Sequence, residues 1–142
     1  MGTTVSQLLE IPFLQKNLQL VTNCGLSNNV QYVTVMEAPD FHFDGLNEVF
    51  ILTTLSAHHH SLEEINRVIR ELCESGVSAI GIKIGRFVDQ IDKSTVAIAQ
   101  EYNVPMISLN KTVLFREVLS ETLSLIADNQ RLIITQINDL NR

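Results

Sequence analysis

Two apolar runs bracket one amphipathic helix, and that arrangement leaves few folds open. Val49-Phe50-Ile51-Leu52 passes straight into Thr53-Thr54, and Ala79-Ile80-Gly81-Ile82-Lys83-Ile84 follows later in the chain. Runs without polar alternation read as strands covered on both faces, the habit of parallel sheets. Between them Ser61 stands three residues before Glu64, which marks a capping box. Leu62, Ile65, Val68, Ile69 and Leu72 then recur at helical spacing, and Gly76 suits the left-handed position that closes a helix. Strand, helix and strand in this order form a βαβ unit, so Val49–Thr54 is expected to pair in parallel with Ala79–Ile84. The fold class that follows is α/β: a layered sheet with parallel central strands flanked by helices, plus a long C-terminal helix.

The flanking segments fit that frame. Thr4 to Glu10 reads as a short helix capped by Thr3 or Thr4 and stopped on the approach to Pro12. Leu18–Val21 is a brief strand, and β-branched Val30–Met36 a better one. Glu37-Ala38-Pro39-Asp40 breaks it, and a loop runs from Phe41 to Asn47. Asp92 caps a helix whose inner side is Ile98, Ala99 and Tyr102. Asn103 ends it, and Val104–Leu109 is the last strand, its Pro105 tolerable near a strand start.

Apolar residues make up 45% of the chain and charged residues 18%, a globular balance. The formal net charge is −6, and no basic run occurs, which argues against phosphate-backbone contact by these residues. Cys24 and Cys73 fit no metal or redox spacing. The start of the chain lacks the basic and apolar regions of a signal peptide, and no stretch has the roughly 18 apolar residues of a membrane span. The expected setting is cytoplasmic, with no membrane contact.

Chemistry in such a sheet belongs at the carboxyl ends of the strands. There stand Thr53, Thr54 and Ser56 after one run, and Lys83 and Arg86 at the end of the other. Two readings remain open: hydroxyls that satisfy backbone groups where a strand ends, or the polar rim of a pocket for a small anionic or polar ligand. Glu37 and Asp40 join this candidate set, or serve as turn residues. His58-His59-His60 points its rings in different directions and finds no second cluster, so a metal is not expected. No nucleophile–base or carboxylate pair stands out, which gives no catalytic residue and no cofactor.

From about Val113 to the end, no Gly or Pro interrupts a helical pattern too long for one face of a small domain. Leu119, Leu123, Ile126, Gln130, Ile133, Ile137 and Leu140 recur at alternating spacings of four and three, a coiled-coil seam with one polar layer. Val118, Leu125 and Leu132 form a second stripe suited to docking on the helix's own domain. A homodimer through the seam is expected. The domain division is then 1–112 for the α/β part and 113–142 for a connector and dimerisation helix.

With these residues in view, the chain resembles the N-terminal domain of the purine catabolism regulator (PucR) family of bacterial transcription regulators. The resemblance rests on Thr4-Val5-Ser6-Gln7-Leu8-Leu9 with Pro12, Gly25-Leu26 before Val30-Gln31-Tyr32-Val33, and Glu37-Ala38-Pro39-Asp40. It continues in Glu48-Val49-Phe50-Ile51-Leu52-Thr53-Thr54, Gly76-Val77-Ser78-Ala79-Ile80-Gly81-Ile82-Lys83 and Val104-Pro105-Met106. No piece is specific alone; order and spacing together are. The chain departs from the family at Leu55, where Gly often follows the paired threonines, and lacks Pro near Asp92-Lys93 and near Leu109-Asn110. Because the first departure touches the proposed pocket, the resemblance does not carry a purine ligand to this chain. It implies a regulatory module that meets a small-molecule effector and reaches DNA only through a C-terminal helix-turn-helix domain absent from these residues. A fainter likeness to the N-terminal domain of HPr kinase implies a three-layer α/β fold of the MurF type. Two other readings stay open: a small stand-alone enzyme acting on an anionic metabolite through Lys83 and Arg86, and a purely structural dimerisation module.

Overall fold

The structure, a computed structural model, describes residues 2–39 and 41–140, and in the last helix it leaves aside the side chains of Ile133 and of residues 137–140. A five-stranded sheet lies at its centre. The strands are β1 (Leu18–Leu20), β2 (Tyr32–Val35), β3 (Val49–Thr53), β4 (Ala79–Lys83) and β5 (Met106–Leu109), in the spatial order β1-β5-β4-β3-β2. The pairs β2/β3, β3/β4 and β4/β5 are parallel; only edge strand β1 runs antiparallel, against β5. Phe50 lies opposite Ala79 and Thr53 opposite Ile82, so the expected parallel pairing of the two apolar runs is present. Every residue of β3 and β4 is buried, as unbroken apolar strands require.

Helices cover both faces. On one side, α3 (Leu62–Glu74) and α4 (Lys93–Glu101) pack through Val68, Ile69, Leu72, Ile98 and Ala99 on Val49, Ile51, Ile80, Ile82 and Met106. On the other side, α1 (Val5–Glu10), α2 (Pro12–Asn17) and α5 (Phe115–Leu140) meet Val33, Phe50, Leu52, Ala79, Ile107 and Leu109. The period of two along a strand sorts these residues cleanly between the two cores.

Local signals explain most boundaries. Thr4 accepts the Gln7 amide proton while Gln7 returns a bond to the Thr4 backbone, a complete capping box. Asp92 caps α4 through the Ser94 amide at 2.9 Å. Ser61 caps α3 through the Glu64 amide at 3.1 Å. The reciprocal half of that predicted capping box is not made, because the Glu64 carboxylate turns to Arg67 and His58 instead. Leu62, expected in the inner stripe of α3, is 43% exposed. Pro12 does not end helical structure: it opens α2, where its fixed φ and its lack of an N–H cost nothing at a first turn.

The 26 residues of α5 span about 39 Å at 1.5 Å per residue. Val118, Thr122 and Ile126 are buried, and Asn129 donates to Thr3 Oγ1 at 2.8 Å. The docked stripe on the domain therefore uses Ile126, which the heptad spacing had placed in the seam. Leu132, expected on the docked stripe, is 62% exposed. Leu119 is half-buried, and Leu123 and Gln130 are exposed. The side chains of Ile133, Ile137 and Leu140 lie outside those described.

Candidate functional site

Where β2 and β3 end, the fold brings together Glu37, Thr53, Thr54 and Ser56. Glu37 Oε1 accepts from Thr53 Oγ1 at 3.0 Å and from the Thr54 amide at 2.6 Å. Its Oε2 accepts from the hydroxyls of Thr54 and Ser56, the latter at 3.1 Å. Four donors fill the roughly four lone-pair positions of a carboxylate. The cluster is thus closed on itself: hydroxyls that the sequence offers to a ligand are spent on an internal anion. Thr53 and Thr54 are both buried.

Leu55 makes this closure possible. Its φ is 63°, in the left-handed region, which turns the chain so that its own amide donates to Thr53 Oγ1 at 2.9 Å. A leucine there costs about 1–2 kcal/mol of backbone strain. Its side chain is 2% exposed in the α3/α4 core, and burying a Leu contributes about 1.5–3 kcal/mol. A position that asks for glycine therefore accepts leucine.

Among the described residues Lys83 and Arg86 make no hydrogen bond to this cluster, which Glu37, Thr53, Thr54 and Ser56 close among themselves. Thr53 lies opposite Ile82 and faces α3 and α4, whereas Lys83 lies opposite Leu109 and faces α5. The Lys83 ammonium sits 4.5 Å from the centre of the Phe115 ring, at the start of α5. Burial, then repulsion from Arg86, lowers its pKa below the usual lysine value, against a smaller opposing attraction from Glu37. Arg86 is exposed on the following loop. The space beside Leu55, Ile82 and Thr95 is about 40 Å³, far below the volume of a metabolite pocket.

The histidine run is likewise divided. His58 is buried, with Nδ1 3.0 Å from Glu64 Oε1. Hydrogen bonds from Arg67 and then His58 lower the Glu64 pKa to about 2. His59 Nδ1 lies 2.9 Å from the Ser56 carbonyl, and its ring rests against Phe87 and His60. Among the described residues no three His, Cys, Asp or Glu side chains gather as a metal site. Cys73 is buried in the core, which pushes its thiol up to about 12.

A crevice opens elsewhere, at the carboxyl ends of β4 and β5. The chain leaves β4 toward α4 on one face and leaves β5 toward α5 on the other, and such a split between neighbouring parallel strands opens a gap at their ends. By contrast, β3 and β4 both lead to helices on the same face, so no gap forms between them. The crevice measures about 430 Å³, with Lys16, Asn17, Asn110 and Lys111 at its mouth and Leu18 and Leu109 behind them. It shares Gln19, Ile84 and Ser108 with a further hollow of about 370 Å³ that reaches Asp89. The residue pattern did hold a signal for it: Asn110-Lys111 ends an apolar run just as Thr53-Thr54 does.

The chain matches the Purine catabolism regulatory protein-like family over residues 7–126. The Purine catabolism regulatory protein of Bacillus subtilis (strain 168) is 30% identical over 127 residues, which cover 87% of this chain and 23% of that relative. The chain thus spans about a quarter of the curated relative. Among solved structures, the CBS and DRTGG domains of the regulatory region of Clostridium perfringens pyrophosphatase, complexed with the activator diadenosine tetraphosphate, superimpose with a TM-score of 0.48. That pair shares 16% identity over 84% of this chain and 47% of the other. Among the described residues no helix is long and apolar enough to cross a membrane. With a match from residue 7 to residue 126 and a curated relative 30% identical across 87% of this chain, the chain belongs to the Purine catabolism regulatory protein-like family.

Proposed function

We propose that this chain is the effector-sensing and dimerising regulatory domain of a cytoplasmic transcription regulator, non-enzymatic, with residues 113–142 as its connector. The observation that carries the reading is the partition of α5. Its first half docks through Val118, Thr122 and Ile126 and ends at the Asn129–Thr3 bond, while Leu132 and Ile134 beyond it are 62% and 58% exposed. A helix that outlasts its own core is suited to pair with a second copy and to pass a signal along its axis. Contact with DNA belongs to another part of the protein, since a net charge of −6 repels phosphate. Purine catabolism, the process in the relative's name, is the first candidate for what this regulator controls.

In a parallel dimer Gln130 occupies an a position and meets its own copy, a polar layer that selects register at some loss of stability. Sedimentation equilibrium tests this. Gln130→Leu is expected to tighten self-association, and Ile133→Asp or Ile137→Asp to abolish most of it. Leu132→Asp, off the heptad seam, leaves it unchanged. If the three seam variants all match the parent, the dimer reading fails.

A further inference from the structure

We propose that the crevice at the carboxyl ends of β4 and β5 is the effector site of this domain, and that it holds a small metabolite by a carboxylate or phosphate group between Lys16 and Lys111. The proposal rests on the sensing role above and assigns that role a place and a ligand class. The first ground is topological. This is where connections depart to opposite faces, so the backbone leaves a gap without any need for side chains to withdraw. Its volume of about 430 Å³ falls in the usual range for a metabolite pocket, roughly 300–1,000 Å³.

The second ground is charge. Arg67, Arg70 and Arg131 are each tied to a carboxylate. Among the described residues neither Lys16 nor Lys111 has such a partner, and they converge on one crevice from α2 and from the end of β5. Two unneutralised ammonium groups on an acidic protein form a local positive pole that attracts an anion. Gln19 and Asn110 add amide groups able to orient the rest of the molecule, while the Asn17 side-chain amide donates to the Phe13 carbonyl at 2.8 Å. Two other hollows among the described residues lack this chemistry. One at the amino ends of the strands presents Glu48 and no cation. The one along α3 is rimmed by Glu63, Glu71 and Glu74, with its arginines already paired.

The third ground is position. Gly85 has φ 95°, and a side chain there would press on Lys111 Cδ at 3.1 Å, so the glycine gives Lys111 room to lie along the loop. Asn110 accepts the Val113 amide at 3.0 Å, and α5 begins at Phe115, over which Lys83 sits. An anion held by Lys111 therefore bears directly on the segment that sets the direction of α5. Sensing and output meet within one turn of chain.

The test is amide-resolved NMR titration of the 142-residue protein with two probes, inorganic phosphate and succinate. Saturable shifts at Ile84, Gly85, Asn110 and Lys111 are expected with at least one probe, and which probe saturates separates a phosphate ligand from a carboxylate one. Binding should weaken at least ten-fold in Lys16→Gln with Lys111→Gln, and stay unchanged in the control pair Lys93→Gln with Arg116→Gln. Absence of saturation with both probes up to about 20 mM, well past a millimolar Kd, overturns the proposal. So do equal losses in the control pair, or shifts centred on Thr53–Ser56. Sedimentation of the same samples separates the two levels: lost anion binding with intact self-association counts against this site alone, whereas loss of both counts against the sensing domain itself.

Discussion

Glu37 receives the Thr54 backbone amide at 2.6 Å, which ties the end of β2 to the end of β3 through a single carboxylate. The connection between those strands contains no helix among the described residues, so this side chain does the fastening that a crossover helix does elsewhere in the sheet. Charge-assisted bonds of this kind each contribute about 1.5–3 kcal/mol, and buried donors left unpaired cost about 1–3 kcal/mol. Glu37→Ala is therefore expected to destabilise the protein by about 2–3 kcal/mol in urea denaturation. A loss under about 0.5 kcal/mol, the scale of an ordinary surface substitution, would show that the pin carries no load.

At Leu55 the usual order of alanine and glycine should invert. Leu55→Ala empties part of the core yet keeps a positive φ, and is expected to cost about 2–4 kcal/mol. Leu55→Gly empties the same space but relieves about 1–2 kcal/mol of strain, so it should be the milder change. Equilibrium unfolding of the two variants side by side gives the ranking. Glycine as the more damaging residue would refute the strain argument.

Thr122 is fully buried against the sheet, and its hydroxyl has no hydrogen-bond partner among the described residues. Replacing it with isosteric valine keeps the packing and removes an unsatisfied group that costs about 1–3 kcal/mol. Thr122→Val should raise the thermal midpoint, with α5 content by circular dichroism unchanged. A lowered midpoint would mean that the hydroxyl finds a partner in solution.

Glu64 predicts a pH dependence. Its folded pKa, about 2, lies below the ordinary value of 4.5, so its contribution is present above pH 4.5 and fades as pH falls toward 2. Glu64→Gln should lower the melting temperature at pH 7, and the gap from the parent should close across that acid window. Since Arg67 is the leading cause and the pair is exposed, added salt should narrow the gap as well. A gap that is constant from pH 7 to pH 2 would place the effect in packing rather than charge.

What the chain determines by itself is local. Val49–Leu52 and Ala79–Ile82 are buried on both faces because they contain nothing a solvent-facing strand needs, and Ser61, Asp92 and Gly76 mark helix ends because caps act within one turn. The α/β architecture, the parallel centre and the long last helix follow from those signals. The pairing of Glu37 with Thr53, Thr54 and Ser56 does not, since hydroxyl-rich strand ends look alike whether a ligand or an internal carboxylate fills them. Nor does Ile126, whose heptad spacing is equally that of a docked stripe, with the neighbouring sheet deciding between them. The crevice itself is tertiary. It exists because α4 and α5 depart to opposite faces, and it draws Lys16 and Lys111 together from distant parts of the chain. Spacing along a sequence reports which residues share a face of one element, but only packing decides which elements share a gap.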